Sequence, residues 1–363
     1  MNIAHTTGLE IGPKLRNEWD ELAAASTNPS VFTTYDFIAN SWRTFESTNS
    51  TFHLLTARWN ETLVGLLPLK LTRHRADGDY NSVLTYAGAA ANDQPYLLAR
   101  PQHEAASWDA FLDTIKPMEW DRLSLHHIPS VSPGRFALTL HFGARTQTSV
   151  ESESGHYWAK INLSRPPHNP VAIIDSSTES HVPELLTADF CNRYPNLAID
   201  EYLTAESIED GIDIFVDMVQ HNHSNNNWSF LDTPSPCSDS VCETYFRHMM
   251  IDLCSKGRTG IRVMRSGKNL LAANITHTFN DVACLYNTVS ADEHREYMPS
   301  EVLNTLVIER LRDQSPSMAT STVSNARQWK RWSCGTTAAE TVTVTRASKP
   351  IENHEPRHEL LRQ

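Results

Sequence analysis

The sequence predicts an α/β protein of two tandem domains, each a mixed β-sheet flanked by helices. Three observations carry that reading. The chain has 363 residues, 40% of them hydrophobic, which is enough for two modest cores. One supersecondary plan occurs twice. Leu54 to Leu69 reads as a strand, a polar turn and a second strand opening near the small residue Gly65, and Ile261 to Thr276 repeats it about 200 residues later, whereas a solenoid repeats every 20–50 or so. Between the copies, Leu163 to Val182 turns to Pro, Ser, Asn and His, and Arg165-Pro166-Pro167-His168-Asn169-Pro170 can sustain neither a helix nor a central strand. The expected limits are a first domain at 1–163, a connection at 164–196, a second domain at 197–346 and a polar, disordered tail at 347–363.

In the first half, Trp19, Leu22, Phe32, Phe37, Trp42 and Phe45 punctuate two helices, broken at Asn28-Pro29-Ser30. After the hairpin come a strand Ser82 to Tyr86, a helix Glu104 to Ile115, an alternating strand Arg122 to Pro129 and a short helix from Ser132 to near Gly143. The second half opens with a strand, Ala198 to Leu203. Its helix Ile208 to His221 gathers Ile212, Phe215, Val216 and Val219 on one face. Ser224 to Ser240 is long, polar and Pro-containing, as a lid or a surface excursion would be. A helix Tyr245 to Ser255, the second hairpin, a strand Cys284 to Val289, a turn Glu296 to Glu301, a helix Val302 to Arg312 and a strand Ala319 to Val323 follow.

Composition excludes several classes. No apolar run approaches the ~20 residues of a membrane-spanning helix, and Met1-Asn2-Ile3-Ala4-His5-Thr6 lacks the pattern of a signal peptide, so a cytoplasmic protein is expected. Cysteines at 191, 237, 242, 254, 284 and 334 make no disulfide framework. Cys237 and Cys242 lack a second pair, and neither His221-x-His223 nor His126-His127 has a third ligand, so no metal is expected. Cys254 and Cys284, in apolar surroundings, read as buried thiols. A net charge of −12 argues against DNA and tRNA, which are held by clustered Lys and Arg.

The last third carries the chemistry. A strand that opens through a turn into a helix N-terminus presents free backbone N–H groups to an anion. The hairpin, the strand with Tyr286, Met298-Pro299-Ser300-Glu301-Val302-Leu303 and Trp329-Lys330-Arg331-Trp332 together resemble the GNAT-type acyltransferases, in the tandem-domain branch related to CelD-like and FemAB-like proteins. The resemblance implies GNAT-like domains throughout. It also implies acetyl-CoA or another acyl-CoA as co-substrate, held by the second domain, with the first shaping a cleft for the acceptor. The amides of Met298, Ser300, Glu301 and Val302 would hold the pyrophosphate. Ser300 stands where the family has Gly, and Glu301 puts a carboxylate where an anion would sit.

Acyl transfer to an amine needs a cofactor grip, a donor to the thioester carbonyl and a path for the amine proton. Tyr286 is either the acid that protonates the departing thiolate or a core tyrosine. His277 is either a base or a structural strand residue. Asp292 is the acidic candidate in an otherwise solvated loop. Lys330 stands at the place of the family's Tyr-Lys pair, as a cation for an anionic group or as a surface lysine. The implied function is N-acyl transfer, with acetyl the expected acyl group, to an amine of a sugar, peptide or small metabolite. A FemAB-like transfer from charged tRNA and a non-catalytic binding protein on a degenerate scaffold stand as alternatives. Gly-x-Ser-x-Gly, the mark of a serine hydrolase elbow, is absent.

Overall fold

The computed structural model describes residues 1–45, 49–76, 79–88, 97–143, 148–163, 190–221, 239–313, 318–323 and 333–346. The first half runs β1 (Asn2–Thr7), α1 (Pro13–Ala25), a 3-10 turn (Val31–Thr33), α2 (Tyr35–Phe45), β2 (Ser50–Trp59), β3 (Thr62–Ala76), β4 (Asp79–Tyr86), β5 (Leu98–Ala99), α3 (Glu104–Ile115), β6 (Arg122–Pro129), α4 (Pro133–Phe142) and β7 (Thr148–Asn162). The second runs β8 (Leu197–Tyr202), α5 (Ile208–His221), α6 (Asp239–Ser255), β9 (Thr259–Ser266), β10 (Asn269–Phe279), β11 (Val282–Ser290), a 3-10 segment (Asp292–Tyr297), α7 (Pro299–Asp313), β12 (Met318–Val323) and β13 (Ser333–Arg346).

Local chemistry explains many of these limits. Proline opens α1 and α4, where its missing N–H costs nothing. Ser132 caps α4 by accepting a bond from the Arg135 N–H at 3.3 Å. The hairpins β2–β3 and β10–β11 turn on Asn60-Glu61 and Asn280-Asp281, all four with positive φ, which matches the strands' right-handed twist. The short β1 and β5 and the long β7 and β13 were not expected from the sequence.

The described strands join in one 13-stranded sheet, in the order β1-β2-β3-β4-β6-β13-β7-β12-β11-β10-β9-β8, with β5 beside β3. That order is palindromic when each strand is replaced by its counterpart in the other half. Two pairings are parallel, β4 with β6 and β11 with β12. At the centre the halves exchange their last strands. β7 lies against β12, β13 lies against β6, and β7 and β13 pair antiparallel from Thr148↔Arg346 to Ile161↔Ser333.

Helices cover both faces. On one, α1 and α2 share a single core with α5 and α6, including Trp19, Phe32, Phe37, Phe215, Tyr245 and Phe246. On the other, α3 and α4 pack on the first half through Trp108, Phe111 and Leu138, and α7 packs on the second through Val302, Leu303 and Val307. Phe32 touches His277 and Tyr286 with ring centroids 5.4 and 5.1 Å away, so the two wings of the sheet meet at a shared core. Its rim is polar: Lys256 pairs with Asp36 at 2.7 Å, and Asn280 Nδ2 donates to the Ala24 carbonyl at 2.6 Å. Cys254 and Cys284 are buried free thiols. No described helix is long and apolar enough to cross a membrane.

Candidate active site

Two irregularities of β11 create the site. Its parallel pairing with β12 covers only Val282↔Met318, Ala283↔Ala319 and Cys284↔Thr320. Beyond that β12 stays with β7, and from Leu285 to Ser290 no described strand pairs the β12-facing edge of β11. The second irregularity lies one step further on. Ile275 pairs with Asn287 and Thr276 with Leu285, so Tyr286 is the extra residue of a β-bulge. A bulge leaves its extra residue outside the ladder and re-aims the strand.

β11 then leads through the 3-10 segment to Met298, which adopts a left-handed conformation (φ 48°) and turns the chain into α7. A non-glycine residue rarely sits there. Three of the four amides expected to hold pyrophosphate are already engaged. Met298 N–H donates to the Arg295 carbonyl at 3.1 Å, and Glu301 and Val302 N–H donate to the Met298 carbonyl at 3.0 and 3.3 Å. Of the four, Ser300 N–H alone has no backbone acceptor among the described residues. Glu301 is exposed beside it, Val302 is buried in the core under α7, and Asp292 is exposed on the 3-10 segment.

His277, offered as either a base or a structural strand residue, is a buried ring. It is 1% exposed, and burial pushes its pKa down to about 3. Its Nδ1 lies 2.8 Å from Thr259 Oγ1, and its Nε2 has no hydrogen-bond partner. It borders a small cleft with Pro29, Ser30, Val31, Phe279 and Cys284, at the seam between the halves. Tyr286 is also in the core, its ring 4.8 Å from that of His277. The structure thus brings Tyr286 and His277 together, but behind Phe32 rather than in an open cleft. Lys330, with Trp329 and Trp332, lies outside the described residues, as does most of the expected lid Ser224 to Ser240.

Residues 198–331 match the family described as the acetyltransferase (GNAT) domain. Solved structures extend the likeness of fold to nearly the whole chain. FemX superposes with a TM-score of 0.58 at 8% identity, covering 96% of this chain and 98% of its own. A tandem GNAT protein from the clavulanic acid biosynthesis pathway gives 0.51 at 14% identity, covering 96% and 99%. A conserved protein of unknown function from Bacteroides thetaiotaomicron gives 0.55 at 8%, covering 92% and 97%. No curated protein matches the sequence.

Within residues 198–331, a polar group that sequence reading missed ties α7 to the sheet. Asn274, Thr288 and Asn304 bond to one another beside the bulge. A buried Asn in an apolar strand was the available signal, since such a group must find partners. Further along α7, Arg310 reaches Glu201 at 3.0 Å and Arg262 reaches the same oxygen at 2.8 Å. Burial opposes ionisation of Glu201, but the two guanidiniums hold it below the usual carboxylate range. In the first half the corresponding parallel pairing is shorter still. There β4 and β6 pair at Val83↔Arg122 and Leu84↔Leu123, and β5 occupies the edge of β3 at Gly65 and Leu66. α3 sits so close that a Cβ on Gly65 would lie 2.5 Å from Ser107 Oγ, and Trp108 is fully buried beneath.

Proposed function

We propose that this protein is an acyl-CoA-dependent N-acyltransferase, with acetyl the expected acyl group and an amine of a sugar, peptide or small metabolite as acceptor. The observation that carries the reading is the divergence of β11 from β12 just before the bulge at Tyr286. An acyl-CoA needs a slot for its pantetheine arm, a backbone donor for its thioester carbonyl and a helix terminus for its pyrophosphate. The divergence, the bulge and the first turn of α7 supply these in order along one segment, Val282 to Val302. On this reading the amine nitrogen bonds to the thioester carbon, the bulge amide stabilises the oxyanion, and the C–S bond then breaks. Tyr286 protonates the leaving thiolate, the amine proton passes to Asp292 or water, and Lys330 neutralises an anionic group near the cleft.

Calorimetry with CoA and acetyl-CoA, followed by a thiol-release assay over a panel of amines, tests this directly. Saturable binding and amine-dependent release of CoA are expected; absence of binding overturns the reading. One observation favours a second reading, a non-catalytic acyl-CoA-binding protein: the amides of Met298, Glu301 and Val302 are spent within the turn, and Tyr286 is sealed in the core. Binding without thiol release for any amine would select it.

A further inference from the structure

Asn274 on β10 is fully buried and stands directly opposite Thr288 on β11. Its Nδ2 donates to Thr288 Oγ1 at 2.9 Å and to Asn304 Oδ1 on α7 at 3.0 Å, while its Oδ1 accepts from Thr276 Oγ1 at 2.7 Å. Thr288 Oγ1 donates to Asn304 Oδ1 at 2.7 Å. Three elements are joined by a closed triangle in which both Asn274 N–H groups and the Thr288 proton are used. Apart from the Arg310–Glu201 pair further along α7, the described contact between α7 and the sheet is apolar, with Val302, Leu303 and Val307 against Leu271, Ala283 and Leu285. Apolar packing is non-directional and tolerates a small slide; a satisfied buried triangle does not.

The triangle lies between two functional ends. Thr288 is two residues past the bulge at Tyr286, and Asn304 is about one helical turn past Ser300. We propose that Asn274, Thr288 and Asn304 are positioning residues that set the span between the bulge and the N-terminus of α7, so that the site selects a ligand carrying both a pantetheine arm and a pyrophosphate over either piece alone. This rests on the acyl-CoA reading given above. A ligand that bridges two subsites gains affinity from the link between them, and loses that gain when the spacing is wrong even if each subsite is intact.

The test uses the full chain with CoA, pantetheine and adenosine 5′-diphosphate as separate calorimetric ligands. Thr288→Val removes the central hydroxyl at similar volume. It is expected to weaken CoA binding about tenfold or more while leaving each fragment within about twofold of wild type, because only the link is lost. Thr288→Ser, which keeps the hydroxyl, is expected to restore most of the CoA affinity. Asn304→Ala serves as a second variant if Thr288→Val does not melt cooperatively. Equal weakening of CoA and its fragments, or a folded Thr288→Val that binds CoA like wild type, overturns the inference alone. A wild-type protein that binds neither CoA nor its pieces removes the acyl-CoA reading and this inference with it.

Discussion

His277 illustrates how burial reverses what a residue type suggests. An imidazole on a strand near a suspected reaction centre invites a role as base, but a ring held neutral down to about pH 3 can hardly cycle protons at neutral pH. Its effect belongs to stability. The folded pKa lies below the ordinary value of 6.5, so between those values the unfolded chain binds a proton that the folded chain does not, and stability falls as pH drops. From pH 7 to pH 5 the expected loss through this one group is about 2 kcal/mol. His53, lowered to about 4 by burial and then by the nearby His5, adds to the same limb. Urea midpoints at both pH values should show a shallower loss in His277→Gln than in wild type; parallel losses would contradict the assignment. Lys330 carries the complementary expectation. If its charge serves the reaction, Lys330→Ala lowers amine-dependent CoA release at least about tenfold, a loss of ~1.4 kcal/mol, with little change in melting temperature. Full activity in the folded variant would remove it. The candidate site was legible where it lay in local pattern: the strand that carries Tyr286 and the turn into α7 form as expected. Burial of Tyr286 was one of its two readings, but its contact with Phe32 was not legible, because Phe32 lies some 250 residues away in sequence.

Among the elements, those with their own periodicity were readable and those stabilised by a distant partner were not. Glu104–Ile115, Arg122–Pro129 and Ile208–His221 form with the expected limits, since each carries an apolar stripe that fixes its register. The strand β7 opens Thr-Ser-Val-Glu-Ser-Glu-Ser and gives no such signal; its ladder partner β13 begins about 170 residues downstream. The bulge at Tyr286 was equally invisible, being a property of the pairing rather than of either strand. Strand exchange has a measurable consequence. A fragment of residues 197–346 would leave β12 without β7, and β13 without both of its neighbours. Unpaired edges of that length promote association. The fragment is therefore expected to aggregate or remain unfolded, whereas the full chain cleaved within 164–189 should stay associated and native-like. A monomeric, cooperatively folding fragment, seen by size exclusion and thermal melting, would contradict this.

Over the whole molecule, duplication was evident in the sequence from the repeated hairpin plan, but its consequence for shape was not. Two mixed sheets were expected; one continuous sheet with a shared core on one face is observed. The halves are alike in strand order and differ in one respect that matters for function. In the second, β11 parts from β12 past Cys284 and continues beside β10 to Ser290, whereas in the first β4 ends at Tyr86 and β5 pairs with β3 at Gly65 and Leu66. The proposed function puts a single acyl-CoA site in the second half, where residues 198–331 match the acetyltransferase family. Hydrogen exchange of the full chain with and without acetyl-CoA tests that most directly. Protection is expected from Leu285 through Val302, with the β4 and β6 segments unchanged. Equal protection of Ser82–Tyr86 and Arg122–Pro129, or no protection in either half at saturating acetyl-CoA, would contradict it.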